Sequence, residues 1–195
     1  MRWCRPGAVT TPAESLQLAN HHPLAGLVCV QRVVHDRGMI TSEPLTEPTQ
    51  VTLDAAPTAV VRHERVTLAT LRPLFDSGFM AIAASGASIN GPAFALYRGD
   101  TGAEFDLDLG FPVAEPLAQP VRGVETVEPS QLPAGSAWAL SHLGAYGSLH
   151  ESWGRLDEHV RGLGLTPSGL LEVYVTEPSP EIDPTTLRTD LFLLV

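Results

Sequence analysis

Lysine is missing from this chain: all twelve basic residues are arginine. That excludes Schiff-base chemistry, a phosphate-loop lysine and Ser–Lys nucleophile pairs. Cysteine is nearly missing. Cys4 and Cys29 both lie near the N-terminus, which argues against a disulfide framework and a cysteine zinc site. Basic charge is scarce beside acidic charge, and the net charge is −10. Binding to phosphate backbones is driven by Lys and Arg replacing counterions, so direct nucleic-acid binding is not expected. Attraction of cations is compatible with this charge. Long apolar runs are lacking as well. The run from Leu27 to Val30 is short and follows His21, His22 and Pro23, so neither a membrane span nor a signal peptide is expected. The simplest reading is a soluble cytoplasmic protein.

The chain has 195 residues and is 44% hydrophobic, enough for the core of one domain. Residues 1–50 show no sustained hydrophobic period, and Ser42 to Pro48 is rich in Pro and Thr. They are expected to form a weakly ordered extension and linker, followed by one domain over 51–195. Met39 would make a natural start, so residues 1–38 read as an extension or as sequence upstream of the native start. A short docking helix is the alternative, and the sequence leaves this open.

From Val51 the pattern becomes regular. Ala59 to Val66 predicts a strand. Thr67 to Ala84 predicts a helix with Leu68, Leu71, Phe75, Phe79 and Ile82 on one face. Pro73 sits early, where a helix tolerates it, and Gly86 is a plausible stop. Phe94 to Arg98 and Glu104 to Leu109 predict a strand pair around the Gly99–Gly102 turn, followed by a connector through Pro112, Pro116 and Pro120. The order then repeats: strands at Val121–Val127 and Ser136–Leu143, an amphipathic helix from Ser148 to Leu163, and strands at Leu170–Thr176 and Arg188–Val195.

The two halves can be aligned. Gly91 to Gly99 (GPAFALYRG) parallels Ser168 to Glu177 (SGLLEVYVTE), with Tyr97 matching Tyr174, and Asp108 to Val113 (DLGFPV) parallels Asp190 to Val195 (DLFLLV). This is an internal repeat of strand–helix–strand–strand units. One unit is too small to hide both its helix face and its sheet. The expected fold is therefore α+β, duplicated about a pseudo-two-fold axis, with a central cleft.

Three chemical motifs fall short. His150-Glu151 opens a helical zinc-protease pattern, but Gly154 stands where the second His is needed, so no metal is expected. Gly86 to Asn90 resembles a nucleophile elbow, but it ends in Asn90 instead of Gly and follows a helix. Gly162 and Gly164 do not complete a dinucleotide fingerprint, and no cofactor is expected. The informative stretch is Leu170 to Val175. Strand alternation puts Glu172 and Tyr174 on one face with Leu170 and Thr176; Leu171, Val173 and Val175 share the other, expected to pack on the helices. A carboxylate in so apolar a strand needs a reason, because burying an unpaired charge costs several kcal/mol, on the order of. It either faces solvent, pairs with Arg98 or Arg188, or lies in a pocket and binds a cationic or hydrogen-bond-donating ligand. Aromatic residues favour the pocket: Tyr97 and Tyr174 from the two halves, Tyr146 in the turn before the second helix, and Trp138, Trp153 and Phe192 nearby. Trp153 also fits the core stripe of its helix.

Taken together, Ser141 to Leu165 (SHLGAYGSLHESWGRLDEHVRGLGL), then LLEVYVTEP and RTDLFLLV, resemble the GyrI-like, AraC-type effector-binding family. The pattern is His–x–Gly–x–Tyr before a helix, Glu–x–Tyr on a strand, then Glu-Pro and a terminal strand. The resemblance covers about residues 50–195. It implies a duplicated α+β fold around a hydrophobic cleft, with Glu172 at its floor and Tyr146 in its wall. Ala145 and Leu194 replace prolines of the family pattern. The first fifty residues show no paired-helix pattern, so the chain is closer to stand-alone members. Two functions follow. The favoured one is binding of amphipathic, cationic or aromatic small molecules by a sensor or sequestering protein. The alternative, implied by some stand-alone members, is hydrolysis of reactive cyclopropane-type compounds, with Glu172 as general base and Tyr146 or Tyr174 as hydrogen-bond donor. The bland remaining possibility is a cleft that takes a protein segment.

Overall fold

The computed structural model describes residues 42–177 and 181–195; the expected extension over 1–38 lies outside them. The elements run β1 (Thr49–Leu53), β2 (Pro57–Val66), α1 (Leu71–Ala84), β3 (Phe94–Gly99), β4 (Phe105–Pro112), β5 (Val121–Arg122), β6 (Thr126–Gln131), β7 (Gly135–Leu143), α2 (Leu149–Gly162), β8 (Gly169–Tyr174) and β9 (Arg188–Leu194). The fold is α+β. All strands join one sheet in the order β1-β7-β9-β8-β3-β4-β2-β6-β5.

The duplication is exact in register at the centre of that sheet. Leu96 faces Asp108 in the first half, as Val173 faces Asp190 in the second. Asp108 in turn faces Arg62, as Asp190 faces Ser141. The halves meet where β3 pairs with β8, and there Ala95 lies opposite Glu172. These two residues occupy equivalent places in the repeat, so the pseudo-two-fold axis passes between them. The opening strands cross over. β1 precedes β2 but pairs with β7, while β6 precedes β7 but pairs with β2. The repeat thus contains one more strand than the sequence indicates, and the strand expected at Val121–Val127 is a short β5 followed by a turn and β6.

The sheet has to roll. A flat sheet at ~4.8 Å per strand would hold β1 and β2 roughly 29 Å apart. Residues 54–56, which join them, reach at most about 14 Å. Rolling brings Val51 and Leu53 of β1 into one buried cluster with Val60, Phe94, Leu96, Leu171, Val173 and Phe192. The helices cover the outer face: α1 packs with Leu71, Leu74, Phe75 and Phe79 against Ala95, Tyr97, Leu107 and Leu109, and α2 packs with Leu156 and Val160 against Trp138, Leu140, Leu191 and Leu193. Leu171 and Val173 therefore point into the rolled interior, and the expectation that they meet the helices is reversed. It is Leu170, Glu172 and Tyr174 that share the helix-bearing face. The domain also starts before Val51. The Leu45 N–H donates to Ser141 Oγ, the Ser141 N–H donates to the Leu45 carbonyl, and Leu45 packs against the interior cluster. Leu45 lies within the Ser42 to Pro48 stretch expected as linker.

Two glycines shape this frame. A Cβ on Gly110 would lie 2.5 Å from the Phe94 ring and 2.8 Å from Val60, so only glycine lets Phe94 seat across β4. Gly144, at φ 137°, turns the chain from β7 into the segment that carries Tyr146, a conformation open to glycine but not to L side chains.

Candidate functional site

The outer face between the two helices is a cleft of about 1480 Å³. The α1 wall is Leu71, Phe75 and Phe79, continued by Phe111; the α2 wall is Leu149 and Trp153; Tyr97, Leu170, Glu172 and Tyr174 form the floor. Tyr174 is the hub of the aromatic lining. Phe75, Phe79 and Tyr146 each meet it edge-on, with ring centroids 6.0, 6.2 and 6.0 Å away. Phe79 meets Phe111 at 5.4 Å. Edge-to-face geometry is the favoured arrangement for such rings.

Glu172 is 7% exposed. Oε2 accepts hydrogen bonds from the Tyr97 hydroxyl at 2.9 Å and the Tyr174 hydroxyl at 2.5 Å, and Oε1 accepts one from Trp153 Nε1 at 2.9 Å. Bonds to a charged acceptor contribute about 1.5–3 kcal/mol each, which offsets the loss of water around the carboxylate. All three donors are neutral, however, so the negative charge itself is unmatched. The two arginines that might have clasped it are engaged elsewhere: Arg98 pairs with Asp108 and Arg188 with Asp190. Among the described residues no ion pair reaches Glu172.

Burial pushes the hydroxyls of Tyr97 and Tyr174 well above the ordinary tyrosine range, and the Glu172 charge pushes them further. Tyr146 is shifted upward for the same two reasons. These tyrosines remain neutral donors throughout the physiological range. The site is held in place from α2 and the turn before it. His142, 5% exposed, donates from Nε2 to the Ala145 carbonyl at 3.1 Å, while Nδ1 lies 2.9 Å from Ser152 Oγ. A carbonyl only accepts, so Nε2 carries the proton and Nδ1 accepts from Ser152 when the ring is neutral. This clamp fixes the segment bearing Tyr146 to the helix turn bearing Trp153.

The sequence-derived candidates divide cleanly. Glu172, Tyr174, Tyr97 and Trp153 are joined by hydrogen bonds, and Tyr146, 41% exposed, stands at the mouth. Trp138 does not line the cleft; it lies under α2 with its ring 4.5 Å from that of His159. Phe192 does not line it either. It alternates with Leu191 and Leu193 and points into the rolled interior. Sequence reasoning missed Phe75, Phe79 and Phe111 as cleft residues. The first two stand on the apolar face of α1, and nothing in that face itself shows that part of it lines a cleft.

No family model matches the chain, and no curated protein does. Solved structures match in fold. The C-terminal domain of EcmrR superposes with a TM-score of 0.64 at 17% identity, over 77% of this chain and 97% of that one. The structure of SAV2435 bound to tetraphenylphosphonium gives 0.56 at 8% identity, over 76% and 93%. A structure of a hydrolase encoded by lin2189 from Listeria innocua gives 0.51 at 12% identity, over 78% and 93%. Identities this low carry the fold alone: the chain has the duplicated α+β architecture of these domains.

Proposed function

We propose that this chain is an effector-binding domain of the GyrI-like type, and that it takes lipophilic organic cations into the cleft between its helices. The observation that carries the reading is the Glu172 carboxylate, buried, held by three neutral donors and left with an unmatched negative charge. A cation with apolar arms would supply the missing charge, while Phe75, Phe79, Tyr146 and Trp153 offer ring faces and edges to the arms. The surroundings favour the same sign: five carboxylates line the cleft against two arginines, of which Arg161 already pairs with Asp157. SAV2435, which shares the fold, is described with tetraphenylphosphonium bound, and the sequence resemblance points to the same class of domain.

Tetraphenylphosphonium titrated into wild type and Glu172→Gln by calorimetry tests this. The expected loss in the variant is at least about thirtyfold; equal affinity in both proteins overturns the reading. Hydrolysis with Glu172 as base has less support. Three donors already occupy most of its acceptor positions, which leaves little of the carboxylate free to engage a water molecule.

A further inference from the structure

We infer that Tyr97, Tyr174 and Trp153 act together as a filter on the ligand's cationic centre, favouring quaternary ammonium or phosphonium ions over primary ammonium ions of the same skeleton. The inference deepens the binding reading above and rests on it. A carboxylate offers about four lone-pair positions. Oε2 accepts from both tyrosines and Oε1 from the indole, so one position on Oε1 is left. A primary ammonium brings three N–H donors. One can reach that position; the groups packed beside the three donors, Leu149 and Leu170 with Trp153 and Phe75 with Tyr174, are apolar and offer the other two no acceptor. The phenol oxygens of Tyr97 and Tyr174 are poor substitutes, because their lone pairs are conjugated with the rings. A donor stripped of water and left unbonded is penalised. A cation without N–H groups has no donor to strand, and its diffuse charge still feels both the carboxylate and the rings.

The filter is built from both halves of the repeat. Tyr97 and Tyr174 are repeat equivalents, yet both donate to the one carboxylate, because Ala95 stands where the first half would carry its own. Each donor removed should open one acceptor position and relax the discrimination.

The test uses a matched pair, (biphenyl-4-ylmethyl)trimethylammonium and biphenyl-4-ylmethylammonium, titrated by calorimetry into wild type, Tyr97→Phe and Trp153→Phe. In wild type the quaternary ion is expected to bind about tenfold more tightly. In both variants the ratio should shrink to about threefold or less. The extra methyl surface of the quaternary ion is common to all three proteins, so the change in ratio isolates the hydrogen-bond effect. A wild-type ratio of one or below, or a ratio unchanged in both variants, overturns the filter. If both ions bind through Glu172, as Glu172→Gln reveals, and the ratio still does not move, only the filter fails. If neither ion binds wild type, or both bind Glu172→Gln as well as wild type, the binding reading fails and the filter with it.

Discussion

The two copies of the repeat match in register at the centre of the sheet and differ in the side chains they place beside their shared axis. Around that axis the first half presents Ala95 beneath α1, with Phe75 on the helix above it; the second presents Glu172 beneath α2, with Trp153 above it. The first half is an apolar wall and the second supplies the polar group, while the tyrosine of each, Tyr97 and Tyr174, serves the second half's carboxylate. A perfectly symmetric site would set two carboxylates face to face across one strand pair, and their repulsion would oppose folding. Duplication supplies two walls and a floor; divergence at one position on the axis gives the floor a charge it can keep.

The interior shows a second, compensating difference. Phe94 faces Gly110 in the first half, and Leu171 faces Phe192 in the second, so each half places one large ring there, on opposite strands. Gly110→Ala breaks this arrangement and is expected to cost about 3 kcal/mol in a denaturant melt, since the added carbon meets Phe94 and Val60 well inside contact distance. Adding Phe94→Leu, which imitates Leu171, should recover at least half of the loss; no recovery would mean that the halves are not exchangeable in this way. Ala95→Glu restores symmetry at the axis. Relative to Ala95→Gln, which controls for size, it is expected to destabilise by about 2 kcal/mol at neutral pH, with the difference disappearing in acid as a carboxylate takes up a proton.

The retained tyrosines test whether the halves still act alike. All three tyrosines of the chain are shifted upward from 10.0, Tyr97 and Tyr174 more than Tyr146. Tyrosinate absorbance should therefore first appear above pH 10.0, with an initial single-residue phase that Tyr146→Phe removes. Unfolded tyrosines lose their protons near the ordinary value while the folded ones keep them. Stability is thus intact below that pH and falls as pH rises beyond it. Two tyrosinates appearing together near pH 10.0 would contradict the shared burial of Tyr97 and Tyr174. The smallest effect is expected at Gly154, where α1 carries Asp76 and an added Cβ meets nothing within 4 Å. Gly154→Ala should stabilise α2 by about 0.5–1 kcal/mol in thermal melts.

Both helices, the repeat and Glu172 were legible because each is written locally: a 3.6-residue stripe, an echoed phrase, a carboxylate in an apolar strand. Strand parity also grouped Glu172 with Tyr174 and Leu170 correctly. Parity does not say which face the helices cover, and the rolled sheet buries both faces, so Leu171 and Val173 looked like helix contacts. The same ambiguity drew Phe192 toward the cleft. β1 escaped notice because its partner, β7, lies far along the chain, and Thr49 to Leu53 is too short to announce itself by composition. Phe75 and Phe79 do not stand out as cleft residues because a stripe that faces a cavity has the same period as one that faces a sheet.

The crossed placement of β1 and β6 has a mechanical consequence. Each half is latched to the other by its own leading strand, so the halves cannot swing apart like the jaws of a hinge. A cleft that took ligands of different size would then adapt through rotations of rings such as Phe75, Tyr146 and Trp153, or through sliding of the helices over the floor. Ligands of different bulk should leave the backbone of β3 and β8 superimposable.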